Sequence, residues 1–170
     1  SLRRLNGEEF LLISDDFGTT FRASTLANHS LSECGIALVT NSTTGGQHIL
    51  ANCRPNRTTH RRAQLAWSLD GMPLGAPTYP PGVVDPGCQG SIVTGTDNAL
   101  YISHANSATA RVRMTVQRST DLGSTWSPGL EVWSAPSGYS QLVPLRARLD
   151  GEGKKHGPGN SSAALGLLFE

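Results

Sequence analysis

Ser14-Asp15-Asp16-Phe17-Gly18-Thr19-Thr20-Phe21 and Ser119-Thr120-Asp121-Leu122-Gly123-Ser124-Thr125-Trp126 are two copies of one pattern, S-x-D-x-G-x-T closed by an aromatic ring. A decayed third copy, Trp67-Ser68-Leu69-Asp70-Gly71, lies between them. The aspartates stand at 16, 70 and 121, which are 54 and 51 residues apart. Self-similarity at roughly 40 to 50 residues is the sequence mark of a propeller array. The motif itself encodes a turn. The Asp carboxylate accepts backbone N–H bonds across it, and Gly supplies the positive-φ position. The terminal Phe or Trp is then expected to pack between neighbouring sheets. Asp16, Asp70 and Asp121 are therefore structural residues.

The segments around these turns have the character of strands. Residues 10–13, 35–39, 47–50, 63–67, 91–93, 99–102 and 112–116 are short, and several are rich in β-branched side chains. Gly, Pro, Asn and Ser clusters separate them. No long segment repeats with the helical period. The expectation is an all-β chain, one domain over residues 1–170. About three four-stranded antiparallel blades fit this length, as half of a six-bladed β-propeller.

Composition narrows the function. The formal net charge is +1, which argues for neither nucleic acid nor an anionic membrane surface. No apolar run approaches the ~20 residues of a membrane span. Four N-x-[ST] sequons, at Asn28, Asn41, Asn56 and Asn160, favour a secretory-pathway protein. The three cysteines, Cys34, Cys53 and Cys88, lack C-x-x-C spacing, so no structural metal is expected. They are read as buried thiols, with a Cys34–Cys53 bridge as the minor alternative. His48, His60, His104 and His156 show no ligand spacing. The sequence begins at Ser1 and stops after the apolar run 163–168, and both ends are read as cuts.

The repeated turn is the Asp box, and with it the chain resembles the sialidase family. Four further segments carry the resemblance. Leu31-Ser32-Glu33-Cys34 is similar to the segment that holds the family's catalytic glutamate, with Ser32 in place of the usual Asn. Leu50-Ala51-Asn52-Cys53-Arg54 is similar to the following N-x-R strand end. Pro86-Gly87-Cys88-Gln89-Gly90-Ser91 resembles the C-Q-G-S start of the next blade. Pro136-Ser137-Gly138-Tyr139-Ser140 resembles the segment of the nucleophilic tyrosine. Arg111 stands where the family has a substrate-binding arginine. The wording of the last segment, and an insertion over 148–159 expected to be a solvated loop, look closest to lysosomal-type animal sialidases.

The resemblance implies an exo-α-sialidase that needs no cofactor and acts on sialylated glycans of glycoproteins, glycolipids and oligosaccharides. Sialic acid carries a carboxylate on its anomeric carbon, which would repel an anionic nucleophile. A neutral tyrosine avoids this, and sialidases are an exception to two-carboxylate glycosidase chemistry. Tyr139 is the implied nucleophile and Glu33 its base. Arg54 and Arg111 would bind the substrate carboxylate through planar, permanently charged forks. Glu170 resembles the glutamate that braces a further arginine. That arginine and the acid/base aspartate are expected upstream, so the isolated chain is expected to give no turnover. The resemblance implies a lysosomal, extracellular or membrane-associated location and is silent on any protective protein partner.

Two expectations concern local geometry. If 33–54 is a hairpin, Glu33 pairs with Arg54, Cys34 with Cys53 and Thr40 with Gln47, around a turn at Thr43-Thr44. Arg111 and Arg113, two apart on a strand, would share a face, and Arg111 is preferred by its spacing to Asp121 and Tyr139. Arg57, Arg61 and Arg62 are read as surface charges. The competing function is a non-catalytic, lectin-like propeller, which would need the arginines but not Glu33 and Tyr139.

Overall fold

Turn-rich sequence with short apolar runs dictates antiparallel strands, and strands make up the computed structural model. It describes residues 9–27, 29–54, 59–145 and 164–170. In chain order the strands are β1 (Leu12–Ile13), β2 (Arg22–Ala23), β3 (Ser32–Thr40), β4 (Gln47–Arg54), β5 (Ala63–Trp67), β6 (Ser91–Thr94), β7 (Leu100–Ala105), β8 (Val112–Ser119), β9 (Leu130–Pro136), β10 (Ser140–Leu145) and β11 (Ala164–Phe169). They form four antiparallel sheets, β1-β2, β3-β4-β5, β6-β7-β8-β9 and β10-β11. Among the described residues there is no helix, and so none long and apolar enough to cross a membrane.

The sheets stack face to face in chain order. Neighbouring residues on a strand point to opposite faces, and β4 uses both. Ala51 and Cys53 join Leu65, Trp67, Leu11 and Ala27 in one buried cluster. Leu50 joins Val39, Val83, Ile92, Leu100 and Ile102 in a second, against the next sheet. The first strands of successive sheets touch: β6 lies against β3 on one side and β10 on the other. The expectation of four-stranded sheets is met only by β6-β7-β8-β9. After β5 the chain makes isolated bridges alone, at Trp67–Pro73, Gln64–Thr78 and Arg61–Val84. Pro73, Pro77, Pro80 and Pro81 fill that stretch, and proline has no N–H to give a ladder.

The two copies of the repeated turn are the same object. In each, the Asp Oδ1 accepts the backbone N–H of the motif threonine and Oδ2 its hydroxyl, at 2.8 and 2.6 Å for Asp16 and 2.9 and 2.6 Å for Asp121. Phe17-Gly18 and Leu122-Gly123 both have positive φ. The decayed copy lacks one residue between Asp70 and Gly71 and folds differently, with Gly71 N donating to Ser68 O. Trp126 packs on the second cluster as expected. Phe21 does not pack: it is 60% exposed.

Three other expectations are corrected. Arg62 is wholly buried, not a surface charge. Its guanidinium bonds Asp85 Oδ2 at 2.7 Å, Cys88 O at 2.9 Å and the Asn52 carboxamide. Cys34 and Cys53 form a disulfide, while Cys88 is a buried free thiol. The β3–β4 register pairs Thr40 with Gln47 and Cys34 with Cys53 as expected, but a β-bulge sets Ser32, not Glu33, opposite Arg54. The insertion 148–159, Arg57 and the sequon residues Asn28, Asn56 and Asn160 lie outside the described residues.

Candidate active site

The site grows from the bulge. Glu33 is the extra residue between the Ser32–Arg54 and Cys34–Cys53 pairs, at φ 47. Bulges re-aim side chains in this way. The Glu33 carboxylate is fully engaged: Arg54 Nη1 donates to Oε2 at 2.7 Å, and Tyr139 Oη donates to Oε1 at 2.9 Å. The Arg111 guanidinium lies 5.5 Å from the centre of the Tyr139 ring, within cation–π range. The structure thus brings Glu33, Arg54, Arg111 and Tyr139 together from four separate stretches of chain.

Arg113 does not share the face of Arg111. A second bulge, between Val112 and Met114, gives Arg113 a φ of 62 and turns its side chain to Glu131, with Nε donating at 2.8 Å. The alternation that would have put both arginines on one side is broken at that residue.

Tyr139 stands between β9 and β10 on a frame of backbone bonds. Ser137 N donates to Arg111 O, Glu170 N donates to Tyr139 O, and Gly138 N donates to Glu170 O. Glu170 therefore bounds the site through its main chain. Ser140 N donates to the Gln89 side chain at 2.9 Å, and the Ser140 hydroxyl bonds Ser103. Gln89, in the 86–91 segment, is a positioning group whose role its own sequence position did not reveal. The buried Arg62–Asp85 pair holds the same segment from beneath, because Asp85 Oδ1 also accepts Gly87 N and Cys88 N, both at 2.7 Å. Ahead of β3, buried Glu9 accepts the backbone N–H of His29 and Leu31 and fixes the approach to Glu33.

The protonation pattern follows from these contacts. Partial burial pushes the Glu33 carboxyl up. The bonds from Arg54 and Tyr139 and the charges of Arg54 and Arg111 outweigh it, leaving the group below its ordinary 4.5. The Glu33 bond and charge raise the Tyr139 phenol above its ordinary 10, against the pull of Arg54 and Arg111. At neutral pH the pair is a carboxylate and a neutral phenol sharing one hydrogen bond, which is a nucleophile beside its base. Tyr139 is 39% exposed. Arg54 and Arg111 line, with His60, Pro86 and Gly87, a depression of about 480 Å³, within the range of small-molecule sites. Two cations face it, which suits an anionic ligand. Of the unassigned histidines, His104 is buried with Nε2 bonded to Gln117 at 2.8 Å. Burial, then the Arg62 charge, lower it to about 4. Among the described residues no cluster of His, Cys, Asp and Glu could hold a metal ion.

No protein-family model matches the chain. Solved structures do resemble it. The Hadza microbial sialidase Hz136 superposes with a TM-score of 0.63 at 23% identity, over 79% of this chain and 27% of that one. The NanB sialidase from Streptococcus pneumoniae, in complex with a substituted ethanesulfonate, gives 0.63 at 19% identity, over 81% and 22%. The intramolecular trans-sialidase from Ruminococcus gnavus, in complex with oseltamivir carboxylate, gives 0.62 at 14% identity, over 95% and 33%. The chain therefore spans about a third or less of the length of these structures. At such identities the likeness is one of fold: the chain has the β-propeller-like fold of sialidases.

Proposed function

We propose that the protein is a retaining exo-α-sialidase. One observation carries this: the Tyr139 hydroxyl is bonded to the Glu33 carboxylate while Arg54 and Arg111 flank the pair. The arginines bind the sialoside carboxylate and hold the anomeric carbon over Tyr139. Tyr139 Oη attacks that carbon as its proton passes to Glu33 Oε1. The glycosidic oxygen leaves and takes a proton from an acid outside this sequence. The deprotonated acid then takes a proton from a water as that water attacks the anomeric carbon of the glycosyl–tyrosine, and Glu33 returns its proton to the departing phenolate. Two displacements retain configuration. A lectin would use the arginines alone and leave the Tyr139–Glu33 bond without a task.

The test compares the full-length protein with a Tyr139→Phe variant on a fluorogenic sialoside. Turnover by the parent and a loss of about 10³-fold or more in the variant is the expected result. A parent that binds sialic acid without cleaving it establishes the lectin instead. The isolated 170-residue chain is expected to give no turnover, since the acid and a third arginine are assigned upstream.

The location we propose is the secretory pathway, in a lysosomal-type sialidase. The Cys34–Cys53 disulfide supports an oxidising compartment. Asn41 supports it as well. It sits at the tip of the β3–β4 hairpin, where its Oδ1 accepts Thr43 N and Thr44 N. In protein expressed in animal cells, peptide mass spectrometry is expected to find glycan on Asn41. Finding that residue unmodified would remove this support.

A further inference from the structure

Beyond the residues that meet substrate, we infer that the Cys34–Cys53 disulfide is a positioning bond of the active site, pinning the bulge that holds Glu33 against Arg54. The inference rests on the sialidase function proposed above. Cys34 follows Glu33 directly and Cys53 precedes Arg54 directly, so the covalent bond joins the two neighbours of the two site residues. It also lies at the first regular pair beyond the bulge.

Two forces act on that bulge from opposite sides. Glu33 is held at φ 47, a conformation that costs energy for any residue with a Cβ. Its carboxylate is drawn outward by Arg54 and Tyr139. Among the described residues, the ladder on the Arg54 side of the bulge holds the single Ser32–Arg54 pair. A slip of one residue would send Glu33 to the other face of the sheet. A covalent link at the 34–53 pair forbids the slip.

The bond closes a separation of 19 residues, and what a disulfide adds to stability through the unfolded chain grows with the loop it closes. That contribution acts on the unfolded chain and does not itself place Glu33. Cys53 is wholly buried in the core cluster and Cys34 packs against it, so the link also anchors the site edge of the hairpin to the interior.

The experiment uses the full-length protein, wild type beside Cys34→Ala/Cys53→Ala, with folding checked by near-UV circular dichroism and assays run well below the melting transition. Cys34→Val/Cys53→Ala serves as a second apolar pair should the first fail to fold. Non-reducing peptide mapping of the wild type is expected to recover 34 linked to 53. Two free thiols in active enzyme would overturn the inference whatever the variants do. The linked enzyme is expected to exceed the folded variant in kcat/KM by about tenfold to a hundredfold, the scale of a misplaced catalytic group.

A purely structural role would lower the melting temperature and leave the pH profile alone. A positioning role moves it. Glu33 faces Arg54 on β4, Arg111 ahead of β8 and Tyr139 ahead of β10, with the Cys88 thiol beside Arg54. Loosening the Arg54 contact lets the Glu33 carboxyl rise, so the acid limb of kcat/KM shifts to higher pH. A folded variant with kcat/KM within about twofold of wild type and an unmoved limb sinks the inference alone. Absence of turnover by the wild type removes the sialidase function itself, and this inference with it.

Discussion

A hydrogen bond between a phenol and a carboxylate supports the roles proposed for Tyr139 and Glu33. Glu33→Gln keeps the shape but removes the proton acceptor, and kcat is expected to fall by about 10² to 10⁴-fold, the usual contribution of a general base. On the proposed mechanism the same residue sets the acid side of the pH profile. Its pKa is depressed, so the carboxylate form persists below its ordinary 4.5, and activity is expected to be lost only as pH falls through the lower folded value. Arg54→Ala removes the largest stabiliser of that carboxylate. The acid limb of kcat/KM is then expected at higher pH, together with a raised KM. At this scale sequence was informative: Glu33, Arg54, Arg111 and Tyr139, the residues the family resemblance singled out, lie together. It was uninformative wherever a bulge intervened. The count from Thr40–Gln47 inward carries no trace that Glu33 is skipped, because a bulge is a choice of backbone made by what packs on both faces. Arg62 was misread for a related reason. Its partners Asn52 and Asp85 lie 10 and 23 residues away, and a lone arginine among arginines carries no local mark of burial.

The repeated turn is the element that punctuates the sheets. Its threonine bonds hold the Asp16 carboxyl down at about 2, and they lower Asp121 in the same way. Stability from a depressed carboxylate is present above its ordinary pKa and lost as pH falls through the folded one. The turn's contribution should therefore fade between about 3.8 and 2 for Asp16, seen as a falling melting temperature in acid titration. Asp121→Ala is expected to cost about 1 to 2 kcal/mol in denaturant unfolding, from the loss of several modest hydrogen bonds at a half-buried site. Gly123→Ala tests the backbone directly. At φ 91 an added Cβ would also lie 2.9 Å from Leu50 Cδ2, so a loss of about 1 to 2 kcal/mol is expected from the left-handed strain alone. These turns were legible because side chain and backbone bond within one short motif. The later strands were not. β9 is almost wholly exposed and shows no alternation to read, β10 contains Pro144, and β11 lies in a run taken for a severed end.

Across the whole molecule, a buried ion pair ties β4 to the 86–91 segment that leads into the next sheet. Arg62 and Asp85 both have side chains fully shielded from solvent. Removing one partner leaves an uncompensated charge, and Arg62→Met is expected to cost about 3 to 5 kcal/mol. Many buried pairs can be exchanged for apolar residues with little loss. Here the double variant Arg62→Met/Asp85→Leu should remain destabilised, since Asp85 also serves Gly87 N and Cys88 N. Equilibrium unfolding of the two variants distinguishes these cases. The all-β, propeller-like stack was legible as a whole because the turn repeats. The strand count per sheet was not, because prolines after β5 leave only isolated bridges in place of a ladder. The bond between Tyr139 and Glu33 spans 106 residues of chain, and that separation governs time as well as place. Loop closure over such a distance is entropically slow to be rewarded, and chains dominated by distant pairings fold slowly. The refolding full-length protein should bury Trp67 in its local sheet well before the phenol meets its carboxylate, so with Trp67 kept as the reporter, its fluorescence is expected to recover ahead of activity.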